Sequence, residues 1–284
     1  MTVRIVTDST VDISLEQAAQ LGVTIVPVYV RFGDEVLRDL YDINNAEFYR
    51  RLETSGIHPT SSQPAPGDFA KVYQELSKDA DEILSIHLTS KLSGTYNAAL
   101  QGREVAESQA RIEIIDTFSL SMAVGMAVMS AAKLAAAGES LDNIIQDVRE
   151  KIAATRIFGI FDTIRHLQRG GRVGQAVLRL GSLLNIKPLL EVRDGVLAPV
   201  GAVRVREHGI TKLKQFLQRA VNPVELAVVY NTFADEANAF RDYAAETTGC
   251  PVHLAQLGPA LGVHSGPGTL LLAVRDSLAE PAGR

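Results

Sequence analysis

Hydroxyl and imidazole side chains set among glycines and prolines gather in a few short stretches of this chain, and these are the groups equipped for chemistry. Thr7-Asp8-Ser9-Thr10 closes the first strand-like run, where a turn-and-cap cluster accounts for it as well as a site does. In Pro59-Thr60-Ser61-Ser62-Gln63-Pro64 the flanking prolines restrict the backbone, so the hydroxyls between them are presented in a fixed geometry. Thr89-Ser90-Lys91-Leu92-Ser93-Gly94-Thr95-Tyr96 follows a strand and opens a helix; Ser93 is placed to cap it, and free backbone N–H groups there favour an anion. The spacing is not that of a nucleotide-binding P-loop. His264 lies in Gly258-Pro259-Ala260-Leu261-Gly262-Val263-His264-Ser265-Gly266-Pro267-Gly268, a context that argues against a helical core role and for function. Gln168-Arg169-Gly170-Gly171-Arg172-Val173 is basic and reads either as a glycine-terminated helix end or as a docking point for a partner or an anion.

Serine with histidine admits acyl transfer, with Ser93 or Ser62 as nucleophile and His264 as base. That reading needs a third, orienting group and an oxyanion hole, and no GxSxG elbow is present. Asp8 and Asp116 at the ends of two strands admit a metal-dependent phosphotransferase, although two isolated aspartates are a thin ligand set. Cys250 is the single cysteine, so neither an intramolecular disulfide nor a thiolate metal cluster is available.

The elements that position these groups follow from composition and periodicity. The chain has 284 residues, 46% hydrophobic and 21% charged, with a net charge of −5, an ordinary globular composition of one large or two modest domains. No basic stripe serves a nucleic-acid or anionic-membrane partner. The N-terminus lacks the features of a signal peptide, which, with the scarcity of cysteine, leads to the expectation of a cytoplasmic protein. The apolar stretch 120–137 is interrupted by Ser121, Ser130 and Lys133 and reads as a buried helix rather than a membrane span.

Strand-like runs at 3–7, 23–30, 82–87 and 111–116 alternate with helical patterns at 14–21, 44–54, 67–77, 93–107 and 119–137, which predicts a parallel sheet with helices on both faces. Beyond a helix at 141–154 the rhythm changes. Strands at 157–161, 186–192 and 196–203 (the last two flanking an Asp194-Gly195 hairpin turn), 226–230, 252–256 and 270–274 mix with helices from about 175, at 207–219 and at 234–248. The expectation is an α/β chain of two domains: a three-layer α/β/α domain with a parallel sheet over 1–155, and a two-layer α/β domain with a mixed sheet over 156–284.

Taken together and in order, VTDSTVDI, PTSSQPAPGDF, SKLSGTYNAA, IIDTFSLSMAVG, FDTIRHLQRGGRVG, NIKPLLEVRDGVL and GPALGVHSGPGTL resemble the DegV family of fatty-acid-binding proteins, over nearly the whole chain. The resemblance implies a non-catalytic carrier without cofactor or metal, holding a long-chain fatty acid in a tunnel between the two domains; a monomer is expected separately, since nothing in the sequence fixes an oligomeric state. It implies a separate fatty acid kinase as partner, which phosphorylates the bound carboxylate. Carried over by position, the carboxylate would lie at Ser61, Ser93 and His264, with backbone N–H groups around Gly94 and Thr95, and Arg172 would stand at the surface where the kinase docks. Three features depart from the family pattern: Ser61 replaces a threonine, Lys91 replaces a small residue and adds a charge near the head group, and the segment containing Arg204 fits poorly.

Overall fold

Strand β1 (Val3–Asp8) lies inside a four-stranded parallel sheet in the computed structural model, which describes residues 2–174 and 185–277. With β2 (Val23–Val26), β6 (Glu82–His87) and β7 (Arg111–Asp116) the strand order is β2-β1-β6-β7. β1 and β6 are buried almost throughout, as central parallel strands covered on both faces must be. Helices α3 (Pro66–Leu76) and α4 (Thr95–Val105) cover one face through Phe69, Tyr73, Ala98 and Ala99. On the other face lie α1 (Leu15–Leu21), whose Ser14–Gln17 capping box starts it as its sequence predicts, α5 (Met122–Ala136) and α6 (Leu141–Ala153).

From Thr155 onward the strands belong to a second sheet. β8 (Thr155–Ile160), β9 (Lys187–Arg193), β10 (Val196–Val203), β11 (Pro223–Tyr230), β12 (Val252–Gln256) and β13 (Leu270–Asp276) take the order β10-β9-β8-β13-β11-β12. Only β11 and β12 run parallel; the other neighbours are antiparallel. At the β9–β10 turn Asp194 and Gly195 have φ of 52° and 80°, the left-handed pair that a two-residue hairpin demands. Helices α8 (Arg206–Leu217) and α9 (Ala234–Thr248) cover the outer face through Leu213, Leu217 and Phe240. The inner face, with Ile157, Leu190, Leu271 and Ala273, packs towards the first sheet.

α5 fills the space between the two sheets, against β1 and β6 on one side and β8, β11 and β13 on the other. A helix buried all round can be apolar all round, which is why 120–137 looks membrane-like in the sequence. No helix among the described residues is long and apolar enough to cross a membrane.

Four expectations need revision or fall outside the structure. Residues 23–30 are not one strand: Pro27 lacks an N–H for a sheet ladder, β2 stops at Val26, and β3 (Tyr29–Phe32) joins an antiparallel sheet ordered β4-β3-β5 with β4 (Glu35–Arg38) and β5 (Thr60–Ser62). The glycine-rich segment around His264 is helical as α10 (Pro259–Ser265), with Pro259 presetting the first turn. A Cβ on Gly262 would come within 2.6 Å of Tyr49 Oη, so only glycine lets α10 lie this close to α2 (Asn45–Thr54). The N-cap of α4 is Gly94 rather than Ser93, whose hydroxyl instead accepts from the Thr95 N–H at 3.3 Å. The helix expected from about residue 175 lies outside the described residues. α10 also packs Ala260 and Val263 against Val30 and Phe48, so residues from beyond 155 complete a core that begins before it.

Candidate functional site

Between the inner face of the second sheet and the loops at the carboxyl ends of the first lies a cavity of about 950 Å³, counting the space at its open mouth. Its floor is a patch of β8, β9, β10 and β13 bearing Ile157, Phe161, Leu190, Val192, Leu197 and Leu271. Leu88, Leu92, Leu120, Leu257 and Leu261 close it from the side of the first sheet and α10. Its walls are mainly hydrocarbon, which suits a ligand that is apolar along most of its length.

Polar groups converge at one end. β5 is held in place by pairing Ser61 with Val30 of β3, which sends the Ser61 hydroxyl towards α10. There Ser61 Oγ lies 2.7 Å from His264 Nε2. Ser62, Gln63, Ser93 and Arg172 share this end of the wall. His264 Nδ1 is buried and has no hydrogen-bond partner among the described residues. It faces Gly170, the last residue of α7 (Arg165–Gly170), where a Cβ would come within 2.1 Å of it. Burial, and then the nearby charge of Arg172 and His58, pushes the His264 pKa down to about 4, so the ring is neutral at pH 7. Past its C-terminus α10 is anchored by Asn231 Nδ2, which donates to the Gly266 carbonyl at 2.6 Å.

The exposed Arg172 donates through Nη1 to the Gly170 carbonyl at 2.7 Å and through Nε to the Leu92 carbonyl at 3.3 Å. Its guanidinium therefore bridges the end of α7 and the loop before α4 across the mouth of the cavity. Gly94 and Thr95 stand one layer back. The Gln63 amide covers Gly94, where a Cβ would be 1.9 Å from Gln63 Oε1, and Thr95 is buried with its hydroxyl 2.9 Å from Ser93 Oγ. Lys91 is not on the cavity wall: its stem lies against Gly195 at the β9–β10 turn. Arg204 is exposed. The cation that organises that region is Arg206, which donates to Asp162, Glu236 and the Gly268 carbonyl.

Two chemistries admitted by the sequence meet obstacles here. His264 is paired with Ser61, not with Ser62 or Ser93, and with Nδ1 unpartnered it has no carboxylate to orient it as a base. Asp8 and Asp116 are separated by β6, and each is engaged locally. Asp8 accepts from His87, Thr10 and Leu88, and Asp116 from the backbone of Ser90 and Phe118. Burial alone would raise the Asp8 pKa, but hydrogen bonding to His87 and its charge, with Thr10 adding to them, hold it below the usual carboxylate range. Among the described residues no group of three or more His, Cys, Asp or Glu side chains could hold a metal ion.

Sequence reasoning missed a histidine pair near His264, with His166 against Gly266. His58 and His166 lie with ring centroids 5.4 Å apart, and the pKa of each is lowered, by burial first and then by neighbouring positive charge including that of Arg169. The spacing of 108 positions between them carries no signal in a single sequence. Gln63 was within reach, since its position after two serines and before Pro64 already fixed the loop that presents it.

Comparison with known proteins agrees with this architecture. The family model described as "Uncharacterised protein, DegV family" matches residues 2–275. A DegV domain-containing protein of Halalkalibacterium halodurans is 34% identical over 278 residues, covering 95% of this chain and 97% of its own. A DegV family protein from Thermus thermophilus, described for its fatty acid binding, superposes with a TM-score of 0.87 at 31% identity, covering 97% of this chain and all of that one. DegV of Bacillus subtilis, described as a fatty acid binding protein, gives 0.89 at 28% identity with the same coverage.

Proposed function

The chain belongs to the DegV family, and from that premise we propose that it is a carrier of one long-chain fatty acid, with the tail in the apolar cavity and the carboxylate at Ser61, Ser93 and His264. The observation that carries this reading is the cavity itself: hydrocarbon walls leading to a cluster of hydroxyls and a neutral imidazole. Each methylene removed from water contributes about 0.8 kcal/mol, so a long tail supplies on the order of 10 kcal/mol before the costs of association. A carboxylate leaving water needs donors to offset its desolvation. If His264 Nε2–H donates to Ser61 Oγ, the Ser61 proton is free to turn towards the carboxylate, and Ser93 supplies a second hydroxyl. Gly94 and Thr95 contribute by holding Gln63 and Ser93 in position.

Uncharged donors suit an anion that must react later, because a bidentate guanidinium would hold both oxygens firmly. The chain then acts as a cytoplasmic, monomeric, non-catalytic subunit that presents its carboxylate to a separate fatty acid kinase, with Arg172 at the mouth as a docking contact. Titration of delipidated protein with a saturated long-chain fatty acid tests the binding step. Saturation at one molecule per chain is expected, with heat-capacity change negative as apolar surface is buried. Failure to saturate, or equal affinity for a short-chain acid of the same head group, would overturn it.

A further inference from the structure

On the inner face of the second sheet one glycine stands between two leucines, next to a row of β-branched residues. Gly159 of β8 pairs with Leu190 of β9 and with Leu271 of β13. A Cβ on Gly159 would come within 2.4 Å of Leu271 Cδ2, so its absence lets the Leu271 side chain fold over β8 and form part of the cavity floor. Residues two positions apart on a strand share a face and are separated by about 6.6 Å. Two positions from Gly159 stands Ile157, and two from Leu190 stands Val192. The β8–β9 register, continued one residue past Phe158–Glu191, sets Ile157 beside Val192, and Leu197 of β10 pairs with Val192 on the far side. Phe161, on the same face four positions from Ile157 and roughly 13 Å away along the strand, lies at the α7 end of the cavity, where Leu167 and Arg172 also stand. The Ile157–Val192 row therefore terminates the cavity away from its polar end.

Behind that row lies a second void of about 890 Å³, again counting open space. Ile157 and Val192 belong to the walls of both voids. The second void is lined by Ile115, Ile152 and Ala153 together with Asp116, Arg149 and Asp194. We propose that Ile157 and Val192 are the specificity-determining partition of the acyl cavity: they set the longest tail the protein accepts, and the void behind them is a latent extension. This inference rests on the carrier reading above.

The test measures dissociation constants for a series of saturated fatty acids of increasing length. In the unaltered protein each methylene tightens binding about fourfold up to a limiting length, beyond which the gain stops. In Val192→Ala the gain continues, so the first chain past the limit binds about fourfold tighter to the variant than to the unaltered protein, and the second roughly fifteenfold. Ile157→Val gives a smaller shift in the same direction. Ala153 lines only the second void and is exposed, so Ala153→Phe added to Val192→Ala returns the limit to its original length. An unchanged limit in Val192→Ala and Ile157→Val, with shorter chains still bound, overturns the partition alone, as does a limit that stays extended in the double variant. An unaltered protein that binds no chain of any length overturns the carrier reading and the partition with it.

Discussion

Replacing Ser61 by alanine removes the partner that lies 2.7 Å from His264 Nε2. Two costs follow, and they fall on different states. In the empty protein His264, whose Nδ1 is already unpartnered, is left with neither nitrogen bonded to a side chain. An unsatisfied buried group costs about 1–3 kcal/mol, towards the lower end here because the cavity opens to water. In the loaded protein a hydrogen bond to a charged group is lost, worth about 1.5–3 kcal/mol. The cost borne by the empty protein offsets part of the loss in the loaded one, so affinity for a fatty acid should fall by about 0.5–2 kcal/mol, roughly 2- to 30-fold. The methyl ester of the same acid carries no charge and gains little from the hydroxyl, so it should bind the two proteins alike. Competition against a fluorescent fatty acid, run with acid and ester, reads this directly. The acid-to-ester ratio should be high in the unaltered protein and compressed by that factor in Ser61→Ala. Ratios within twofold of each other would refute the placement of the carboxylate at Ser61.

Gly170→Ala puts a Cβ 2.1 Å from His264 Nδ1 and forces the ring away from Ser61; fatty-acid affinity should drop about tenfold with the circular-dichroism melt preserved, and unchanged affinity would show that the ring position is immaterial. Arg172→Ala should leave the dissociation constant within about twofold, since its hydrogen bonds go to the Gly170 and Leu92 carbonyls, while slowing acyl phosphate formation by the kinase; normal kinetics would remove the docking role. Burial pushes the carboxyl of Asp12 up to about 7 and that of Asp39 up to about 8, each near the start of α10. Because these folded-state values lie above the unfolded ones, the contribution to stability is complete below about pH 4 and is lost as pH rises through 7 to 8, at up to about 1.4 kcal/mol per pH unit for each group. Asp39→Asn should flatten the fall in urea-unfolding free energy between pH 6 and 9, and identical slopes in both proteins would contradict the buried, protonated carboxyl.

What could be read from the sequence was whatever local patterning decides. The Asp194-Gly195 hairpin, the Ser14 cap and the α/β alternation of the first sheet each rest on residues adjacent in the chain, and the structure has them where they were expected. Local signals also exist for β3 and β4, in the Pro27 break and the Gly33-Asp34 turn between alternating apolar residues, but the strand expected over 23–30 joins β2 to the start of β3, and no strand is expected where β4 stands. The helix α10 was hidden because its glycines lower helix propensity, while Gly262 is there for its close approach to α2 rather than for the helix itself. Ser61 and His264 were each singled out, yet that they touch across 203 positions follows from β5 pairing with β3 and α10 packing on the same unit, and neither element was foreseen. The cavity is less accessible still to sequence reasoning, since its floor depends on Leu271 folding over Gly159, a contact set by the register of β13 with β8.

The most direct measurement is mass spectrometry of lipid extracted under denaturing conditions from protein purified without added lipid, quantified against the protein. The carrier account predicts close to one fatty acid per chain, of a narrow range of lengths. A protein that emerges empty, and that stays empty after incubation with long-chain fatty acids, would contradict it.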